Sequence, residues 1–208
     1  MGYVLSVTWL CVTWLCRSSF PTEIGLSASN KLVHASLKTK IGYQMRRYPR
    51  LPTFLYEMLK TIEPSHSGEL LYFPCKALLQ DGRSFDTVYV EPQGTYIKYW
   101  GVYPEDDEDK LSIRLDDVAE LESSPVRLPA RFATELYRNG ESGMGYIVFT
   151  VLFADGQRQA CVSGNAVDFI RYPAGKGPQD VVGVIPHEGP RDSSLVKGPE
   201  WYWCLYSE

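Results

Sequence analysis

The sequence predicts an α+β, β-rich fold: a tandem duplication of one helix-plus-antiparallel-meander unit, each copy a small barrel or bent sheet, packed about a pseudo-two-fold axis. Three observations predict it. Short motifs recur in the same order along the chain, an Asp-Gly pair divides two apolar runs in each copy, and strand and turn formers are abundant. Among 208 residues there are 14 Tyr, 8 Phe and 5 Trp, which favour strands, and 17 Gly and 14 Pro, which favour turns.

The repeated landmarks begin at Arg50-Leu51-Pro52 and Arg127-Leu128-Pro129. They continue through Ser67-Gly68 and Ser142-Gly143, Asp81-Gly82 and Asp155-Gly156, Ile97-Lys98-Tyr99 and Ile170-Arg171-Tyr172, and Asp117-Val118 and Asp180-Val181. Their offsets fall steadily, from 77 through 75, 74 and 73 to 63, as small deletions in the second copy would produce. The largest deletion removes most of the acidic loop Glu105 to Asp109. Each landmark has its own structural reason. Proline is preorganised for a first helical turn, glycine after Asn139 suits a left-handed helix cap, and Asp-Gly supplies the positive φ of a tight hairpin.

Four segments follow: an extension of doubtful structure over 1–44, copy one over 45–126, copy two over 127–188, and a linker with an aromatic tail over 189–208. The first 44 residues carry a net charge of +3 and the remainder −7, so composition changes near Met45. Three readings compete for the extension. Tyr3 to Cys16 is an apolar run of signal-peptide length with Ser27-Ala28-Ser29 after it, although no basic residue precedes it. Met1-Gly2-Tyr3-Val4-Leu5-Ser6 matches the short myristoylation pattern. The favoured reading is a non-native segment ahead of a natural start at Met45. The apolar run is too short for a membrane span, which takes ~20 apolar residues.

Copy one is read as a helix over 52–61 and strands over 69–80, 83–91, 95–101 and 111–122. Copy two is read as a helix over 129–138 and strands over 145–154, 157–163, 166–172 and 180–186. In the third strand of each copy, alternation puts Ile97 and Tyr99, and Ile170 and Tyr172, toward the core. Tyr96, Lys98, Trp100, Phe169 and Arg171 would then face outward. The tail Trp201-Tyr202-Trp203-Cys204-Leu205-Tyr206 is expected to fold back as an edge strand.

Function is less legible. A net charge of −4 argues against a general nucleic-acid binder, which needs a basic stripe. Five Cys and three His show no zinc-ligand spacing, so no metal and no cofactor is expected, and the thiols suit a reducing cytoplasm. Gly140-Glu141-Ser142-Gly143-Met144-Gly145 fails as a nucleophile elbow because Met144 breaks it, and fails as a dinucleotide loop because helix precedes strand. Gly175-Lys176-Gly177 lacks the phosphate-loop pattern, and Glu105 to Asp109 lacks the glycine and distal glutamate of a calcium loop. His187-Glu188 is an acid–base pair with no nucleophile beside it in sequence.

The resulting expectation is a non-enzymatic, acidic, cytoplasmic interaction module that binds another protein through a sheet face or loops. Lys98, Trp100 and Arg171 are its expected contact residues. The alternative is a small-molecule or carbohydrate-binding protein, or a hydrolase, that uses a cleft between the copies. Tyr96, Trp100, Asp116 and Glu188 would then line that cleft.

Overall fold

The computed structural model describes residues 47–189 and 195–208, and the readings of residues 1–44 fall outside them. The described residues form a mixed, β-rich fold with three α-helices and eleven strands, and no sheet closes into a barrel.

In the first half, α1 is Thr53–Leu59, β1 Ser65–Ser67, β2 Leu70–Tyr72, β3 Pro74–Leu79, β4 Ser84–Pro92, α2 Gln93–Trp100, β5 Leu111–Ser112 and β6 Val118–Ser123. In the second, α3 is Ala130–Asn139, β7 Ile147–Phe153, β8 Arg158–Ser163 and β9 Val181–Pro186. The tail supplies β10, Val196–Lys197, and β11, Tyr202–Tyr206.

One sheet has the order β5-β11-β4-β3-β6 and another β10-β8-β7-β9, while β1 and β2 pair alone. Both large sheets contain an antiparallel hairpin, β3-β4 or β7-β8, whose first strand also pairs antiparallel with a later strand, β6 or β9. On the outer side of each hairpin lies a parallel strand from the tail, β11 on β4 and β10 on β8.

The hairpin turns repeat atom by atom. Gly82 and Gly156 both have φ of 86°. Leu79 N–H donates to the Arg83 carbonyl at 2.8 Å, and Phe153 N–H to that of Gln157 at 3.0 Å. Gln80 N–H reaches the Asp117 carbonyl at 2.8 Å, and Ala154 N–H that of Asp180 at 2.9 Å. The Asp side chain closes each turn by accepting from Arg83 N–H or Gln157 N–H, both at 3.0 Å. A register shift follows at Leu78/Leu79 against β6 and at Leu152/Phe153 against β9. Pro52 and Pro129 stand one position earlier than expected, as extended N-caps whose carbonyls accept from Tyr56 and Ala133 N–H. Gly140, at φ 74°, ends α3 as its spacing predicts.

Several expectations are corrected. Residues 95–101 are not a strand: Gln93–Trp100 is helix α2, started after Pro92 and stopped by left-handed Gly101 at φ 75°. Aromatic and β-branched content favours a strand there, but Tyr96 and Trp100 are also four apart. In the helix they stack on one another at 6.2 Å. The predicted facing therefore inverts, with Tyr96 0% and Tyr99 55% exposed.

The counterpart 166–172 holds no strand, only an isolated bridge from Phe169 to Arg127, with Phe169 and Ile170 both buried. The strand predicted over 69–80 breaks at Phe73 into β2 and β3. The one predicted over 111–122 breaks at a 3-10 turn, Leu115–Asp117, into β5 and β6. The tail strand is interior rather than at an edge, flanked by β4 and β5. Its residues Trp203, Cys204 and Leu205 are all buried, as a strand covered on both faces requires.

Three cores result. One packs α1 on one face of the five-stranded sheet around Leu55, Val88, Val90 and Cys204, and another packs α3 on the four-stranded sheet around Leu136, Phe149 and Val151. The third joins the halves and is mostly aromatic, with Tyr72, Tyr89, Tyr96, Tyr103, Phe169 and Trp203. Asp168, fully buried, anchors it. Its carboxylate accepts from Tyr89 at 3.0 Å, Tyr137 at 2.6 Å and Ser65, so one side chain of the second half holds β1 and β4 of the first and α3 of its own. Replacing Asp168 with Ala strands three buried hydroxyls, and the expected loss is about 3 kcal/mol or more. Urea unfolding monitored by circular dichroism measures it, and a change below about 1 kcal/mol would contradict the anchoring role.

Candidate functional site

Between the end of α2, the loop before β5, the end of β8 and the tail lies a cavity of about 530 Å³. Its size is that of a small-ligand site. Three indoles line it, those of Trp100, Trp201 and Trp203, together with Glu108, Asp109, Lys110, Lys197 and Glu200.

Each arrives for a local reason. Trp100 ends α2 just before its glycine cap. Trp203 is placed by its pairing opposite Tyr89, against which its ring stacks at 5.0 Å. Trp201 approaches the backbone at Gly164, where an added Cβ would already touch the indole at 3.4 Å. Lys110 lies over the Trp100 ring at 4.9 Å and pairs with Asp107 at 3.3 Å, which holds the rim of the cavity in place.

Among the described residues several polar side-chain atoms are buried without a hydrogen-bond partner, and of the residues that carry them only Trp100 lines the cavity. Glu91 follows Tyr89 on the same face of β4, pairs opposite Leu205 and is 2% exposed. Neither of its carboxyl oxygens has a hydrogen-bond partner among the described residues. The same is true of the hydroxyls of Tyr72 and Tyr96, of Gln93 Oε1 and of Trp100 Nε1. Tyr96 packs behind the cavity wall, with its ring 4.9 Å from that of Trp203. Burial alone pushes the Glu91 carboxyl up to about 8, and burial together with the nearby Glu91 raises Tyr72 and Tyr96 well above an ordinary phenol.

The residues expected from sequence fare unequally. Lys98 is exposed on α2, and Trp100 turns into the cavity. Arg171 is exposed, and its Nε–H donates to the Lys197 carbonyl at 3.2 Å. Of the residues assigned to a cleft, Trp100 lines it and Tyr96 lies behind it. Asp116 instead pairs with Arg114 at 3.4 Å, and Glu188 pairs with Arg158. Lys176 is engaged by Asp155 in an ion pair.

The structure also joins two residues that the sequence left apart. Ser142 Oγ lies 2.9 Å from His187 Nδ1, and His187 Nε2 lies 3.1 Å from the Asn139 carbonyl. That carbonyl accepts a hydrogen bond from Nε2–H and leaves Nδ1 to accept from the serine hydroxyl. Ser142 Oγ also accepts Val148 N–H at 2.9 Å, and neither side chain lines the cavity. The pair closes the connection from α3 to β7 against the end of β9. No signal in the sequence linked them, because the contact spans 45 positions.

Cys75, Cys161 and Cys204 are free and buried. Burial lifts the Cys161 thiol to about 11 and Cys204 to about 12, which withholds the thiolate near neutral pH. Among the described residues no cluster of three His, Cys, Asp or Glu is placed to hold a metal, and no helix is long and apolar enough to cross a membrane.

Compared with known proteins, the chain matches no family model, no curated protein and no solved structure.

Glu91 makes stability pH-dependent, with a definite sign. Its folded-state value of about 8 lies above the ordinary 4.5, so between those limits the folded protein keeps a proton that the unfolded chain has lost. Stability is fully present below the lower limit and declines as pH rises through the upper, by an amount on the order of 5 kcal/mol. Urea unfolding across this range should show the decline in wild type and a much flatter profile in Glu91→Gln. Parallel profiles would remove Glu91 as the cause.

Proposed function

We propose that this protein binds a small, polar, ring-bearing molecule in the tryptophan-lined cavity. The observation that carries the proposal is the convergence of three indoles and five charged side chains on one cavity of about 530 Å³. Indole faces stack on rings, and charged groups at the rim orient polar substituents. The reading in which Lys98, Trp100 and Arg171 meet a macromolecular partner takes second place, because Trp100 is committed to the cavity wall. The free, buried thiols support a reducing compartment such as the cytoplasm.

Titrating sugars, nucleosides and aromatic amino acids while following intrinsic tryptophan fluorescence tests the proposal. At least one class is expected to quench or shift the emission, with affinity falling about tenfold or more in Trp201→Ala, as loss of a stacking face predicts. Silence across all three classes would overturn it.

We also infer that the two halves descend from one copied unit, arranged about a pseudo-two-fold axis. The support is the matched hydrogen bonding of the Gly82 and Gly156 turns, the shared register shifts and the parallel tail strand on each hairpin. Moving the second turn into the first, by Gln80→Ala with Arg83→Gln, should change stability by less than about 1 kcal/mol. A loss above about 2 kcal/mol on thermal unfolding would mean that the two turns answer to different surroundings.

A further inference from the structure

The charged side chains that line the cavity are not equally free to meet a ligand. Lys110 is committed. Its ammonium pairs with Asp107 at 3.3 Å and lies over the rings of Trp100 at 4.9 Å and Tyr96 at 5.6 Å, with the side chain 16% exposed. Glu108, Asp109, Glu200 and Lys197 are exposed, and among the described residues none of these four side chains makes an ion pair or a hydrogen bond. Three uncommitted carboxylates therefore stand against one uncommitted ammonium.

The wall points to the same charge by a separate route. Trp203 is buried and Trp100 and Trp201 are half-buried, so three indoles meet the cavity in partly desolvated surroundings. The face of an indole carries the negative part of its quadrupole and attracts cations. Lys110 shows this within the fold, since a strongly hydrated ammonium has come to rest on two rings. An anion entering the cavity would meet three carboxylates with Lys197 alone to offset them. A neutral ring would stack on the indoles and leave the surplus negative charge without a counterpart. A planar cation uses both features, because its ring stacks on the indoles and its charge answers the carboxylates.

We propose that the cavity takes a positively charged heteroaromatic ring, held on the indole faces of Trp100, Trp201 and Trp203 and favoured by the carboxylates of Glu108, Asp109 and Glu200. This rests on the cavity being a ligand site and adds the charge and chemical class of the ligand. The indoles supply most of the affinity, because contact with them is made away from water. The exposed carboxylates supply preference for a cation and faster encounter with it, and salt screens both.

The test is titration calorimetry of the full chain at low ionic strength, with nucleosides matched in shape and unlike in charge. The cationic probes are 1-methyladenosine and 3-methylcytidine, whose rings carry a positive charge near neutral pH. The neutral ones are adenosine, cytidine and N6-methyladenosine, the last of which has the added methyl without the charge. At least one cationic nucleoside should bind wild type about tenfold more tightly than its neutral partners. In the combined variant Glu108→Gln, Asp109→Asn, Glu200→Gln that preference should shrink to about threefold or less, with affinity for the neutral partners unchanged. The three carboxylates hold nothing in the fold, so this variant should match wild type by circular dichroism. Trp201→Ala should weaken cationic and neutral ligands alike. Neutral molecules that bind as tightly as cationic ones, and are lost in Trp201→Ala, would leave the cavity as a ligand site and overturn the charge assignment alone. A preference that survives undiminished in the combined variant would overturn the role of the carboxylates. If neither these nucleosides nor any sugar or aromatic amino acid binds, the cavity is not a ligand site and both readings fall.

Discussion

The carboxylate of Asp168 is the constraint on which the junction of the two halves depends. A charged or protonated carboxyl fully removed from water is tolerated only when hydrogen bonds replace its hydration, and Ser65, Tyr89 and Tyr137 supply them. Those three residues come from β1, β4 and α3, so satisfying one side chain fixes three elements at once. Arg127 adds to this from the side. Its guanidinium is buried, donates to the Glu63 carbonyl at 2.7 Å, and its positive charge favours the ionised Asp168 that burial disfavours. With Tyr89 held by its hydroxyl, its ring meets Phe169 at 4.7 Å and Trp203 at 5.0 Å, and the wall of the cavity is set.

The tail completes that wall and ties the sheets together. β10 pairs with β8 of the second half, and within a few residues β11 crosses to pair with β4 of the first. The crossing segment carries Gly198, Pro199, Glu200 and Trp201, all of which line the cavity. One stretch of backbone thus pairs with both sheets and lines the cavity between them. Parallel pairing follows from the direction of travel, since the tail runs alongside the second strand of each hairpin.

Two carboxyls in one aromatic core show how similar burial leads to different consequences. Asp168 is compensated internally and acts as an anchor. Glu91 has no hydrogen-bond partner among the described residues, and burial alone raises its carboxyl. Burying a carboxyl without partners lowers stability near neutral pH.

Much of the local structure was legible in the sequence. Asp81-Gly82 and Asp155-Gly156 announced their hairpins because positive φ is a demand that glycine meets within four residues. Pro52, Pro129 and Gly140 marked helix ends for equally local reasons. Alternation failed at residues 95–101, where strand-like composition met a helix bounded by Pro92 and Gly101, and Tyr96 rather than Tyr99 became core. The aromatic tail was expected at an edge because its pairing partners lie 91 and 114 positions away. Trp100 was the one expected contact residue to reach the candidate site, and it came there on a helix. Nothing marked Glu91, since a carboxyl is buried or exposed according to what packs over it. By itself the sequence determined the turns, the helix ends and the β-rich composition, which depend on backbone preferences of neighbouring residues. Only the tertiary structure decided which polar groups lost their water, because burial is a property of distant segments brought together.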